Sequence, residues 1–423
     1  MLRALLLNSA IAARRGSVHH ADQAEHGQAI DLSDIGDARL NYLFRITRLA
    51  ALAHDLGHGP FSHTFDAFAP RANFVAKMVE DEPALAALKP LPDLLKKKKT
   101  PSLFPPSRPD RVEHEVMSCV FFAYIWHKLG KPAEVAADVA AVILGLPGIC
   151  NISEHRVWLS LMHDIVASAP ADADRMDYLE RDSKSIGVTY GLFDRNRVLK
   201  SLLAYATGTG RKRIYRLGFR ESGVRAVENL VQARFQMFIQ VYYHKTNQAL
   251  QHMLDEMASL AARGDDIFPW TDLKTLVATY EDLSDERFLR ILRGKEEAFP
   301  VTNPVIKQIA DDVYNRRLWK RVYEGNYSEA KAIAARMRAM NTGIDVQEYS
   351  VKPDAAKHLE SGAALLRRDA DNIYVAADQQ SSWIKTSTVI RALAKNEATL
   401  GRVYQKSADE NSSHRLRQVL KIS

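Results

Sequence analysis

The 423 residues are enough for one large domain and a smaller one, and with 46% hydrophobic and 26% charged residues the composition is that of an ordinary soluble globular protein. Only two cysteines, Cys119 and Cys150, argue against a disulfide framework or a zinc ribbon, and read as those of a reducing, cytoplasmic protein. A net charge of +7 and a pI near 9.2 favour polyanionic partners such as nucleotides or single-stranded nucleic acid, with a merely basic surface as the bland alternative. No apolar run reaches the roughly 18 residues that cross a membrane.

The opening "MLRALLLNSAIAARRG" has arginines and small residues without an acid, as targeting peptides do, but its apolar stretch "ALLL" is too short for a secretory signal. Leu2, Leu5, Leu6, Ile11 and Ala12 at helical spacing predict an amphipathic helix instead. Residues 16–36 read as an inserted polar loop. From Asp37 to Asp55 the apolar positions cover more than one face, as in a buried helix, until Gly57, Gly59 and Pro60 break it. Residues 67–110 read as an insertion: a short helix, then the basic, proline-rich loop "LKKKKTPSLFPPSRPD", whose lysines suit a solvated face better than a phosphate contact. Helical patterns resume from Val112 to 263, interrupted near "GLPGIC", "SAPAD" and "ATGTGRKR". Past 270, "NIYVAA" and "LGRVYQKS" read as strands among helices. The expected fold is mostly α, with a helical core over residues 1–265 and a smaller mixed α/β region over 266–423.

Chemistry concentrates in "AHDLGHGPFSHTFD". His54 and Asp55, adjacent at the end of a buried helix, project about 100° apart and both reach one ion beside that end. A nitrogen and a hard oxygen suit Mn, Fe, Zn or Mg. Gly57 and Gly59 let the backbone approach a ligand, and His58, His63 and Asp66 return more titratable groups to the neighbourhood. His163 and Asp164 repeat the letters without that context and read as structural. In "ADADRMDYLERDSKSIG", Asp174, Tyr178 and Asp182 fall along one helical stripe that can grip a long ligand, the bland alternative being an acidic solvated helix. Arg234, Phe238 and Tyr242 share a second stripe, which suits a phosphate and a base or sugar but by spacing alone is core more often than not.

"HDLGHGPFSHTFD", "VEHE" and "ADADRMDYLERD" resemble the HD-domain deoxynucleoside triphosphate triphosphohydrolases, particularly the SAM-and-HD-domain-containing branch, over residues 40–260 and more weakly to about 325. The resemblance implies an HD-domain helical core, a divalent metal ion, and hydrolysis of deoxynucleoside triphosphates to deoxynucleoside and triphosphate. It places metal ligands at His54, Asp55 and Asp174, and catalytic groups at His58, His63, Asp66 and His114. His63 would act near the α-phosphate, and Asp66 with His114 would form an orienting pair. Substrate contacts fall on Arg175, Tyr178, Asp182, Arg234, Tyr242, His244 and Lys245. Of these, Tyr178 and Asp182 serve the sugar, and Arg175 and Arg234 the phosphates; Arg175 replaces a family lysine, and Phe238 a histidine. A homo-oligomer and a nucleotide effector near Arg195 and Arg197 are also implied.

The family's first metal-binding histidine, upstream of the HD pair, has no counterpart here. The expectation is that "MLRALLLNSAIAARR" is the remainder of its helix, with His19, His20 and His26 as the alternative source of a ligand. Two rivals stay open: another HD-type phosphohydrolase, such as a nuclease or phosphodiesterase, and a non-catalytic binder of nucleotides or nucleic acid.

Overall fold

The computed structural model describes residues 1–376 and 386–406, apart from 34, 99, 106–107, 151–152, 169, 263–266, 269, 341–344, 352–363, 373 and 396–399, together with 411 and 418. In chain order the elements run α1 (Leu2–Ala13), β1 (His19–His20), β2 (Ile30–Asp31), α2 (Asp37–Ala53), α3 (Ala72–Asp81), α4 (Leu91–Lys97), α5 (His114–Lys128), α6 (Ala133–Leu144) and α7 (Ser153–His163). Next are α8 (Ala173–Ile186), α9 (Arg195–Lys200), β3 (Leu202–Thr207), β4 (Ile214–Arg220), α10 (Val224–Met237), α11 (Lys245–Ala262), α12 (Leu273–Asp282), α13 (Asp285–Leu292) and α14 (Pro304–Tyr314). The last are β5 (Lys320–Asn326), α15 (Tyr327–Ala339), β6 (Val346–Val351), β7 (Ala364–Arg368), β8 (Tyr374–Ala376), α16 (Thr388–Lys395) and β9 (Leu400–Gln405). The fold is mostly α with a smaller α/β part, as expected.

Two compact units interleave along the chain. The first holds Met1–His58, Arg71–Met237 and Ala355–Lys395; the second holds Gly59–Pro70, Phe238–Asp354 and Asn396–Ser423. The division expected near 265 follows chain order, whereas this one follows contact.

In the first unit α6, buried from Val135 to Leu144 on every side, is the central helix: α2, α5 and α7 all pack on it. Ile46, Ala50, Val116, Val120, Val139 and Leu159 are wholly buried there. Each such aliphatic side chain larger than alanine is worth about 1.5–3 kcal/mol relative to exposure. The Tyr42 hydroxyl of α2 donates to the buried Asp138 of α6 at 2.8 Å, which fixes the rotation of α2 and hence of its C-terminal end. The unit's sheet has the order β3-β4-β7-β8, with β4 and β7 parallel and the other pairs antiparallel.

Three expectations need correction. Residues 202–207 and 214–220 are strands, not α-helix: "LLAYAT" and "IYRLGFR" are β3 and β4, joined by a turn in which Gly208 and Gly210 take positive φ of 73° and 53°. An apolar run of six residues has no period that separates a buried strand from a buried helix. The proline-rich stretch is not simply a loop, because Leu95, Lys96 and Lys97 belong to α4 and Leu91, Leu95 and Leu103 are buried. Its Lys97 pairs with Asp93 at 3.2 Å, and Lys96 with Glu80, as solvated lysines do. Finally, the polar segment 16–36 is tied down by the parallel β1–β2 pair, where Ile30 and Leu32 are buried and Ser9 donates to the Ile30 carbonyl at 3.0 Å.

In the second unit α11 and α13 pack on α14 around Phe65, Phe68, Met253, Phe288 and Trp319. The antiparallel sheet β5-β9-β6 carries α15 across β9 and β6, through Val322, Ala330, Met337 and Val403. Helix starts here are legible in sequence: the side chains of Asp272, Ser284, Asn303 and Asn326 cap α12, α13, α14 and α15, and Pro304 follows Asn303.

Candidate metal centre

Two helix ends in the first unit build the site. His54 is the C-cap of α2, and α8 begins behind Asp172, whose side chain accepts from the Arg175 N–H at 2.7 Å. Asp174 therefore lies in the first turn of α8. His54 Nε2 stands 3.3 Å from Asp55 Oδ1 and 3.5 Å from Asp174 Oδ1, and one donor atom from each of the three residues lies within 4.8 Å of the others. The His54 Nδ1 is 2.9 Å from the Ala51 carbonyl, which can only accept, so in the neutral ring Nε2 carries the lone pair. That Nε2 is buried and has no hydrogen-bond partner. Asp174, then Asp55, draw His54 up to about 9 against the burial that pushes it down. A field that draws a proton onto this imidazole also draws a cation.

A divalent metal ion fits these residues. Two donors about 2.1 Å from one ion, at angles near 90–109°, are about 3.0–3.4 Å apart. The observed separations of 3.3 and 3.5 Å are close to that range, and a ligand is the natural partner for a buried, orphaned ring nitrogen. Asp55 and Asp174 remain 54% and 37% exposed, so the centre is open to solvent on one side.

Around it, the His58 ring stacks on His114 with centroids 3.7 Å apart and planes at 15°, and His58 Nε2 is 3.6 Å from Asp55 Oδ1. Behind that pair, Glu115 and Glu113 approach His114 Nδ1 at 3.4 and 3.9 Å. Sequence reasoning gave these two glutamates no role, although "VEHE" places them beside His114. It also missed Ser118, which accepts from the Gly57 N–H at 2.8 Å and donates to the His54 carbonyl at 2.6 Å. Nothing in the sequence marks that serine, one turn along α5. The role expected for Gly57 changes: a Cβ there would sit 2.1 Å from the His114 carbonyl oxygen and 2.5 Å from Ser118 N, so the glycine makes room for α5 rather than for a ligand.

Asp174, Tyr178 and Asp182 are all half-buried along α8, as a shared stripe requires. The Arg234 Nε donates to the Tyr178 hydroxyl at 3.4 Å. Arg175 is buried and ion-paired to the fully buried Asp172; burial, then Arg234, pushes its guanidinium down to about 10. The second stripe is interrupted, because α10 ends at Met237 and Phe238–Tyr242 winds as a π-turn, in which Phe238 and Tyr242 meet edge to face at 5.1 Å. Tyr242, His244 and Lys245 belong to the second unit, as do His63 and Asp66, whose Nδ1 and Oδ2 lie 3.8 Å apart.

His163 and Asp164 serve the fold. His163 Nδ1 is 2.7 Å from the Val142 carbonyl, and Asp164 takes Arg216 Nε and Nη2 at 2.6 and 2.9 Å and Leu217 N–H at 3.0 Å. Of the upstream histidines, His19 and His20 form β1 and His26 accepts from the Gly208 N–H at 2.9 Å; among the described residues none joins the three donors. Arg195 pairs with Glu180 at 3.0 Å, and Arg197 donates to the Ser222 carbonyl at 3.2 Å.

A mostly helical fold with one imidazole and two carboxylates gathered at two helix ends points to a protein that uses a divalent metal ion. Comparison with known proteins narrows the class. Residues 211–420 match the family described as the HD associated region. The chain is 28% identical to the uncharacterized protein YwfO of Bacillus subtilis over 210 residues, 49% of this chain and 35% of that protein. It is 25% identical to the deoxynucleoside triphosphate triphosphohydrolase SAMHD1 homolog of Dictyostelium discoideum over 287 residues, 66% of this chain and 44% of that protein. Both matches thus span less than half of the relative's length. A crystal structure of a protein from Aquifex aeolicus superposes with a TM-score of 0.53 at 21% identity, covering 89% of this chain and 80% of that one, a likeness of fold. Together these findings support an HD-domain family. Among the described residues no helix is long and apolar enough to cross a membrane.

Proposed function

We propose that this chain hydrolyses deoxynucleoside triphosphates to deoxynucleoside and triphosphate, with a divalent metal ion held by His54, Asp55 and Asp174. The observation that carries the reading is the buried His54 Nε2 facing carboxylate oxygens of both Asp55 and Asp174, at 3.3 and 3.5 Å. The resemblance of the motifs around it supplies the substrate.

When bound, the ion supplies Lewis acidity at the reacting phosphate. The protein groups do the rest. Arg234 and Arg175 present positive charge to the phosphate chain. Asp172 ion-pairs with the buried Arg175 guanidinium and fixes its position. Tyr178 and Asp182, on the stripe that starts at Asp174, face the sugar, the carboxylate accepting from the 3′-hydroxyl. His58 and His114, stacked and flanked by Asp55 on one side and Glu115 on the other, hold a proton beside the reaction.

The test is metal content and product analysis for the parent chain and Asp174→Ala, each incubated separately with the four deoxynucleoside triphosphates and with oligonucleotides. Inorganic triphosphate released by the parent alone supports the proposal. Shortened oligonucleotides would move the chain to the nucleases, and equal metal and equal turnover in both proteins would remove the site assignment.

A further inference from the structure

The apolar positions of α2 run round more than one face, and the first unit covers only one of them. Leu43, Ile46, Ala50 and Ala53 are buried. Elsewhere on the helix Phe44 and Leu49 are half-buried, and Leu52 is 83% exposed. Asn41, Phe44, Arg45, Arg48, Leu49 and Leu52 fall at i, i+3, i+4, i+7, i+8 and i+11, so they share one stripe that runs the length of three turns. All six line a cavity of about 1240 Å³, whose walls also include Leu2 and Arg3 of α1 and Ile165 and Val166.

The dimensions suit a helix. From Asn41 to Leu52 the axis rises about 16 Å, and a second helix of that length, about 10 Å across, occupies about 1,300 Å³. The charge selects its kind. Arg3, Arg45 and Arg48 are exposed, and among the described residues no acidic side chain lines the cavity and no carboxylate pairs with these three. Arg45 is held over the Tyr42 ring at 5.1 Å. A second copy offering the same face of α2 would set Arg45 and Arg48 against their own likes, whereas glutamates flanking an apolar stripe pair with them. The cavity reaches Ala51, whose carbonyl lies 2.9 Å from His54 Nδ1, and Ala173, the neighbour of Asp174, so an occupant ends beside the candidate metal centre.

We infer that this groove along α2 docks an amphipathic, acidic helix of a partner protein, with the apolar side of that helix on Phe44, Leu49 and Leu52 and its acidic flanks on Arg3, Arg45 and Arg48. The inference does not depend on the reaction proposed above.

The probe is a labelled synthetic peptide of about 15 residues, with leucines at i, i+3, i+4 and i+7 spacing and glutamate and alanine elsewhere, titrated with the full chain and read by fluorescence anisotropy. It is expected to bind at micromolar concentration, more weakly as salt rises, and at least about tenfold more tightly than the same peptide carrying lysine in place of glutamate. Leu52→Gln and Arg48→Glu are each expected to weaken the glutamate peptide about tenfold or more. Both side chains are exposed, so these variants keep the fold, as thermal melting will show. Ile125→Gln, which changes an exposed apolar residue of α5 outside the groove, leaves the affinity unchanged. No binding at millimolar concentration, equal binding of the two peptides, or equal affinity in the parent, Leu52→Gln and Arg48→Glu proteins overturns the inference. So does self-association of the parent, seen in sedimentation without peptide and lost in Leu52→Gln, because it makes a second copy the occupant.

Discussion

At the scale of single residues, the proposed centre depends both on its donors and on side chains that hold them in place. Asp174→Ala removes one of three donors, and metal content measured by atomic absorption is expected to drop at least about 100-fold in apparent affinity. Ser118→Ala tests a different role. The hydroxyl bridges the Gly57 N–H and the His54 carbonyl, so its loss leaves two backbone groups without a partner and is expected to destabilise the fold by about 1–3 kcal/mol in urea unfolding. Metal affinity should weaken as well, because the serine orients the turn that holds His54 and Asp55; unchanged metal affinity would reduce Ser118 to a role in stability alone. His54 and Asp55 were legible from their adjacency, and Asp174 from resemblance. Ser118 was not, since its importance lies in a contact with residues 61 and 64 positions away.

At the scale of elements, close approach decides which positions tolerate change. The turn after α2 lies against α5 so tightly that Gly57→Ala places a methyl group on the His114 carbonyl, and a loss of at least about 2 kcal/mol in unfolding free energy is expected. In the second unit, His252 of α11 stacks on Tyr349 of β6 at 3.4 Å and meets Tyr404 of β9 edge-on, with both ring nitrogens buried and lacking hydrogen bonds. Burial, then Arg402, pushes His252 down to about 3. The unfolded chain, whose histidine titrates near 6.5, therefore binds the extra proton first. Stability from this residue is complete above about pH 6.5 and falls toward pH 3 by up to about 1.4 kcal/mol per unit. Melting temperatures of the parent should decline over that window, and His252→Phe should decline less. Parallel profiles would show that the ring is not held neutral.

At the scale of the whole molecule, a cation that binds only the folded chain adds to its stability by mass action, about 2.7 kcal/mol when its concentration is a hundred times its dissociation constant. Chelator is thus expected to lower the melting temperature of the parent chain and to leave Asp174→Ala unmoved; an equal shift in both would mean that the stabilising ion sits elsewhere. The same scale explains what a linear reading misses. The segment Gly59–Pro70 follows the HD turn directly yet belongs to the second unit, and Ala355–Lys395 returns to the first to place β7 beside β4 and β8 beside β7.

By itself the sequence determined the helical character of the chain, the position of α2 and its break at the glycines, and the pairing of an imidazole with a neighbouring carboxylate. These are local properties: side-chain periodicity, backbone propensity and residues one or four apart on a helix. Tertiary structure alone decided that β3 and β4 are strands, that the partners of "MHD" are Arg216 and a backbone carbonyl, and that Ser118 bridges Gly57 and His54 from 61 and 64 positions away. Those outcomes rest on contacts between distant segments, whose free energy appears only when the core has closed, and no short window of residues contains it.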